Sequence, residues 1–287
     1  MSTLSEVREA DADAETREIY AEIRAASRLG QVNLIWRHLA IDIAVLRWVW
    51  GVLGPEYRHD RLHLLAEARA QHLSKTLAAS GQFDGHEQPF WSGLDADARA
   101  LSQAVLAFYT RANAMNLTAL QAFVQYARHG RPGPPIEIPD GSCGRTSEPT
   151  ELTPLPRLPQ RSEMPDSVGT RVDALSARHG GAGLGVTPSF YLHLGLEPEA
   201  LFAADNRLSR FLGSDAFLSG VETLVSGPLS GADNPVVVTL CEQAGTPRPD
   251  AGRLEPFLAA LESFTTTTIP EMLTVCVFLN GSNKTVG

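Results

Sequence analysis

The residues of this chain best suited to moving a proton are a hydroxyl and an imidazole within one helical turn of each other, Ser189 and His193 in the run TPSFYLHL. Serine alone is a weak nucleophile and a poor proton acceptor, so chemistry at Ser189 needs a base, and His193 is close enough to be one. A blander reading stands beside it. His193 follows an apolar run, as His38 does in VNLIWRHL, and a pair of satisfied core or interface histidines accounts for both more simply. Glu271 is a carboxylate in the otherwise apolar TTTTIPEMLTVCVF. Burial would raise its pKa and suit it to accept a proton from an ammonium or to bind one; just after Pro270, in a first helical turn, solvent exposure is the equal alternative. Thr265 to Thr268 read as a β-branched lead-in to that helix. The GGAGLG stretch at 180–185 has no strand before it, which disfavours a phosphate loop and leaves a flexible entry to a site. Cys143, Cys241 and Cys276 show neither zinc spacing nor a disulfide framework, so inert thiols are expected, with no metal and no cofactor.

The elements that position these side chains come from a chain that repeats itself. Residues 32–46, VNLIWRHLAIDIAVL, return as residues 187–201, TPSFYLHLGLEPEAL, at a spacing of 155. The echo pairs Trp36 with Tyr191, His38 with His193, Leu39 with Leu194, Asp42 with Glu197 and Leu46 with Leu201. A second echo lays FYTRANAMNLT (108–118) over FTTTTIPEMLT (264–274) at a spacing of 156. A period this long is no solenoid; it describes two diverged copies of one domain packed as a pseudo-dimer. A site between the copies would be asymmetric, because each copy was free to gain or lose polar groups.

Helical periodicity dominates both copies. From Glu15 to Ser27 the apolar Ile19, Ile23 and Ala26 share a face, with Gly30 as the stop. Residues 34–50 are too apolar for a surface helix and read as one segment crossing the core. DRLHLLAEARAQHLSKTLAAS is amphipathic and stops at Gly81, and Asp95 and Asp97 suit the amino terminus of a helix that continues through Asn113 to Tyr126. Between Arg131 and Pro165 the chain turns proline-rich with few apolar anchors, an extended linker. The expected organisation is therefore a helical repeat at 1–130, a linker at 131–165 and a second helical repeat at 166–287. The net charge of −9 without a Lys/Arg run argues against nucleic acid and anionic membrane as partners. An acidic amino terminus without an apolar core, and no long apolar stretch after it, point to a cytoplasmic protein.

In order and spacing, REIYAEIR, VNLIWRHLAIDIAVLRWVW, FYTRANAMNLTAL, PLPRLP, RVDALSARHG and IPEMLTVCVFLNG resemble the DehI-type (group I) 2-haloacid dehalogenases over most of the chain. The resemblance implies an all-α, internally duplicated helical pseudo-dimer. It also implies a small carboxylic acid bound between the repeats and halide displaced from its α-carbon by an activated water, without metal or covalent ester.

The family's active-site asparagine falls on Asn113, whose amide can donate to a carboxylate or a leaving group or accept from a nucleophile; a helix-interior asparagine is the plainer alternative. Asn116, one turn on, competes for the role. The family's aspartate, its general base, should lie in GVTPSFYLHL, where this chain offers only Ser189 and Phe190. Gln31 and Asn33 replace pocket-lining aromatic and small residues, which suggests a more polar substrate, while Trp36 and Tyr191 read as core aromatics beside the site. An amine tethered within the substrate needs no base to make it nucleophilic, and orientation alone can contribute about 7–11 kcal/mol. The favoured expectation is thus ring closure to a small nitrogen heterocycle, similar in idea to the aziridine-forming step of azinomycin-type biosynthesis. Its partners would be a small molecule, carried free or on a carrier protein, and a transferase that installs the leaving group. A hydrolytic dehalogenase with a relocated base and a noncatalytic binding partner are the alternatives. Positive charge at the interface would favour an acidic substrate; a dry, wholly apolar interface would favour the noncatalytic reading.

Overall fold

The computed structural model describes residues 4–81, 90–129, 152–180, 185–227 and 246–281. Among them every regular element is helical. The first repeat holds α1 (Ala14–Ser27), α2 (Leu34–Leu39), α3 (Ile43–Tyr57), α4 (Asp60–Ala79) and α5 (Ala96–His129). The second holds α6 (Asp166–Ser176), α7 (Ser189–Leu194), α8 (Pro198–Leu208), α9 (Asp215–Ser226), α10 (Ala251–Ser263) and α11 (Ile269–Asn280). Helix starts at 34 and 189, 43 and 198, 60 and 215, and 96 and 251 are each 155 residues apart, so the echo is a duplication of architecture.

Two local expectations are corrected. The segment 34–50 is two helices, because the Asp42 carboxylate accepts from the backbone of Ala44 and Val45 (3.0 and 3.3 Å) and so starts α3 afresh. The second repeat keeps this break by other means: Glu197 makes no side-chain cap there, and Pro198 supplies a first helical residue that needs no N–H partner. Helix α1 stops before Gly30, at Arg28, which takes the left-handed conformation (φ 56°) and returns its N–H to the Arg24 carbonyl.

The long α5 crosses the molecule and packs on α4, α7, α10 and α11. From Ala114 to Val124 all of its side chains are buried, as are those of α11 from Met272 to Leu279, and helices buried on all sides form the interior. The counterpart of α5 is broken. Between α10 and α11 residues Phe264–Thr268 form a π turn, in which the N–H of Ile269 reaches the carbonyl of Phe264. Pro270 has no N–H to give to residue 266, so a regular ladder could not continue there. A π turn inserts one residue. Downstream of it the repeats therefore correspond at 156: Thr118 and Thr274 are both buried, and each donates to the carbonyl four residues earlier, Ala114 and Pro270, at 2.8 Å. The two spacings in the sequence, 155 and 156, are the two sides of this turn.

Residues 152–160 carry no regular element and precede a 3₁₀ turn at Arg161–Glu163. Residues 131–151 of the expected linker, Cys143, Cys241 and residues 181–184 of the glycine-rich stretch lie outside the described residues. Cys276 is fully buried and its thiol is pushed up by burial. Among the described residues no helix is long and apolar enough to cross a membrane.

Candidate active site

A cleft with a cavity volume of about 60 Å³ lies between the repeats, where α2, α5, α7 and the α10–α11 junction meet. One water needs roughly 10–15 Å³ of such space, so the cleft takes several waters or a molecule of a few heavy atoms. Its walls come in repeat-related pairs: Asn33 with Pro188, Leu34 with Ser189, Ile35 with Phe190, and Tyr109 with Phe264. Asn113 meets the π turn's Thr268 and Ile269, and beyond the insertion Asn116 corresponds to Met272. Polar groups have been kept on one side of most pairs and not the other, which is how a duplicated scaffold gives an asymmetric site. Among the described residues the lining holds asparagine, serine, threonine and tyrosine but no aspartate, glutamate, lysine, arginine or histidine. It is neither positively charged nor wholly apolar.

Two polar atoms of this lining are buried without a hydrogen-bond partner, Asn113 Nδ2 and Thr268 Oγ1. A buried donor left unpaired costs about 1–3 kcal/mol. The π turn accounts for the threonine. Thr265, Thr266 and Thr267 each donate to the carbonyl four residues back, whereas in the π turn the ladder is displaced, the Ile269 N–H reaching Phe264, and Thr268 makes no such bond. Asn116 is held instead: its Oδ1 accepts from the Tyr57 hydroxyl (2.7 Å) and the Trp36 indole (3.3 Å). Asn33 starts α2 without a side-chain cap bond and lines the cleft.

Ser189 and His193 are both brought to Tyr109. His193 is fully buried, its Nε2 is 3.1 Å from the Pro156 carbonyl, and its Nδ1 is 2.7 Å from the Tyr109 hydroxyl. A carbonyl only accepts, so Nε2 carries the proton and the neutral ring accepts from Tyr109 at Nδ1. The Ser189 side chain stands beside the same Tyr109 phenol, near enough to act on its pKa. Burial is the main reason that the His193 pKa falls to about 4, and it raises that of Tyr109. The expected direct Ser189–His193 pair does not form, because both ring nitrogens are already committed, to Tyr109 and to Pro156. Phe190 lines the cleft and meets Tyr109 edge-on, ring centroids 5.7 Å apart.

Glu271 does not line the cleft; of the two readings it comes nearer the buried one, but with its carboxylate already engaged. Its carboxylate takes His179 Nδ1 (3.0 Å) and the Gly180 N–H, and His179 Nε2 accepts from the buried Tyr191 hydroxyl (2.7 Å). This carboxylate–imidazole–phenol chain ties α11 to the end of α6 and to α7. Tyr191 and Trp36 are core residues, as the sequence indicates, though each spends its polar atom. Gln31 is also outside the lining; its amide donates to the Pro156 carbonyl (2.6 Å) and so helps fix the segment that holds His193. His38 is half-buried, with Nδ1 2.9 Å from the Ser5 carbonyl.

Sequence reasoning passed over Tyr109, Thr268, Tyr57 and His179. The signal for Tyr109 was a hydroxyl facing Phe264 in the second echo, one residue off the register of 156; for Thr268 it was the step from 155 to 156 itself. Among the described residues no group of three His, Cys, Asp or Glu side chains is placed to hold a metal ion.

No family model matches this chain, and no curated protein does. Solved structures do. A D-2-haloacid dehalogenase in complex with L-LA superposes with a TM-score of 0.76 at 17% identity, covering 97% of this chain and 96% of that one. A mutant of a D-2-haloacid dehalogenase with D-2-CPA gives 0.74 at 17% identity over 97% and 95%, and another mutant 0.73 at 17% over the same shares. The chain has the helical fold of these dehalogenases.

Proposed function

We propose that this protein is an enzyme that displaces a leaving group from a saturated carbon of a small molecule held between the repeats. The nucleophile is an amine of the same substrate, and the product is a small nitrogen ring, an aziridine or fused azabicycle. The observation that carries this reading is the uncharged cleft wall. Without a carboxylate among the described residues of the cleft, water has no direct base there, whereas a neutral amine brings its own lone pair and needs chiefly to be held in line. In the step, a C–N bond forms as the carbon–leaving group bond breaks, the leaving group departs with the bonding pair, and the ring nitrogen's extra proton passes to solvent. Asn113 Nδ2 and Thr268 Oγ1 are free to donate to the negative charge that develops on the leaving group or on a neighbouring carbonyl. Delivery of the substrate by a carrier protein and installation of the leaving group by a transferase belong to the same proposal.

The alternative is hydrolysis of a 2-haloacid. The fold likeness to D-2-haloacid dehalogenases favours it, as does the Tyr109–His193 pair, which leads from the cleft to a neutral imidazole. The experiment that separates them offers purified protein 3-amino-2-chloropropanamide and, in parallel, 2-chloropropionate, with chloride release followed and products identified by NMR. Accelerated chloride release with an aziridine product from the first and little from the second is expected. Lactate from 2-chloropropionate at a comparable rate would transfer the assignment to hydrolysis, and acceleration of neither would favour a noncatalytic partner.

A further inference from the structure

The hydrogen-bond chain behind Tyr109 has a direction. The Pro156 carbonyl fixes the proton of His193 on Nε2, so Nδ1 takes the proton of Tyr109. The Tyr109 proton is therefore committed away from the cleft, its oxygen is left with lone pairs only, and Ser189 stands beside that oxygen. Both residues line the cleft. The repeat-related positions carry Leu34 and Phe264, so the opposite edge has no such oxygens. His38, the counterpart of His193, is spent on the Ser5 carbonyl.

We propose that Ser189 donates its proton to Tyr109, so that the two oxygens form an acceptor-only edge that holds the N–H groups of the substrate amine, and that His193 is the positioning residue that sets its polarity. This rests on the displacement reading above. It deepens that reading by naming where the nucleophile sits: against α7 and the Tyr109 turn of α5, with the donor Asn113 Nδ2 one turn further along α5. An amine whose N–H bonds are held from behind by two fixed acceptors presents its lone pair away from them, toward the carbon that it attacks. A ligand without an N–H or O–H at this point would leave two buried acceptors unpaired.

The chain also sets a pH response. When His193 gains a proton at Nδ1 it can no longer accept from Tyr109, so the Tyr109 proton must turn elsewhere and the edge loses its acceptor character. Four neighbouring features bear on His193: Tyr109 from α5, Arg37 from α2 with its partner Glu6, the Pro156 carbonyl, and Cys276 of α11 beyond Tyr109. With the His193 pKa at about 4, the edge is intact throughout the neutral range.

The test is calorimetric binding of 3-aminopropanamide, an inert amine, against propanamide, which lacks the amine, in the intact protein and three variants, each checked for folding by melting temperature. Because neither probe has a leaving group, the result does not depend on turnover; failure of the displacement reading appears separately in the chloride assay. The wild type is expected to prefer 3-aminopropanamide by about tenfold or more, within the range of one or two hydrogen bonds to a charged group. Tyr109→Phe, which installs the residue of the other repeat, and His193→Leu should lose this preference. His193→Gln should restore it to within about twofold, since an amide can donate to Pro156 and accept from Tyr109. The preference should fade as the pH drops through about 4 in the wild type and persist in His193→Gln, which keeps the Glu6–Arg37 pair as a control. No preference in the wild type, or a preference undiminished in folded Tyr109→Phe, would overturn the assignment.

Discussion

Both repeats send one long helical passage through the middle of the molecule, but α5 runs unbroken from Ala96 to His129, whereas its counterpart is interrupted by the π turn at Phe264–Thr268. The unbroken passage carries the side chains that are held in place: Asn116 is gripped by Trp36 and Tyr57, and Tyr109 by His193. The interrupted one carries what the insertion set loose, a Thr268 hydroxyl without its usual carbonyl, and puts Met272 where the first repeat has Asn116. Glu271, one position before Met272, faces out of the cleft toward His179. Duplication supplied a symmetric cavity, and single substitutions together with one inserted residue made it chemically one-sided.

The largest effect expected from disturbing this contrast is on the first repeat's grip. Trp36→Ala empties a fully buried site and leaves Asn116 half-released, and should cost about 3–5 kcal/mol in denaturant unfolding. A loss below ~1 kcal/mol would mean that the Trp36–Asn116–Tyr57 cluster is not part of the core.

Next comes an acid response centred on the second repeat. The His193 pKa is lowered in the folded protein, to about 4 from 6.5, so the unfolded chain binds the proton more readily. Its contribution is complete above pH 6.5 and is lost as the pH falls from there to about 4, amounting to about 3 kcal/mol in all. His193→Gln should flatten the stability profile in that window; an unchanged slope would show that another group carries it.

Glu271→Ala leaves His179 and the Gly180 N–H without their acceptor and should cost about 1–3 kcal/mol with turnover nearly unaltered. A large fall in turnover at unchanged melting temperature would move Glu271 back into the chemistry. The smallest effect belongs to Ser189→Ala. With Tyr109 still locked by His193, one of two acceptors survives, and steady-state turnover should fall about two- to tenfold. A loss of a thousandfold would make Ser189 the nucleophile.

Much of the fold was legible because a spacing is conserved when individual residues are not: four pairs of helix starts at 155 follow directly from the first echo. The break at Asp42 was hidden inside an apolar run, since a cap is a single residue and hydrophobicity alone cannot locate it. The site was legible in part. Asn113, Ser189, Phe190, Asn33 and Asn116 all meet at one cleft, while Gln31 and Glu271 are engaged elsewhere. Tyr109 escaped notice because a tyrosine in a helix looks like core until its hydroxyl's partner is known, and that partner, His193, is 84 residues away. The same holds for Glu271 and His179, 92 residues apart, whose pairing turns an apparent catalytic carboxylate into a tether.

The central claim, that polar groups of the inter-repeat cleft carry out the displacement, is tested most directly by turnover and melting temperature measured together on Asn113→Ala. Its Nδ2 has no partner among the described residues, so removing it breaks none of the bonds seen there and the melting temperature should hold or rise slightly. Turnover of the cyclising substrate should drop about ten- to a thousandfold, the range for losing one oriented donor. Full turnover in folded Asn113→Ala would contradict the account.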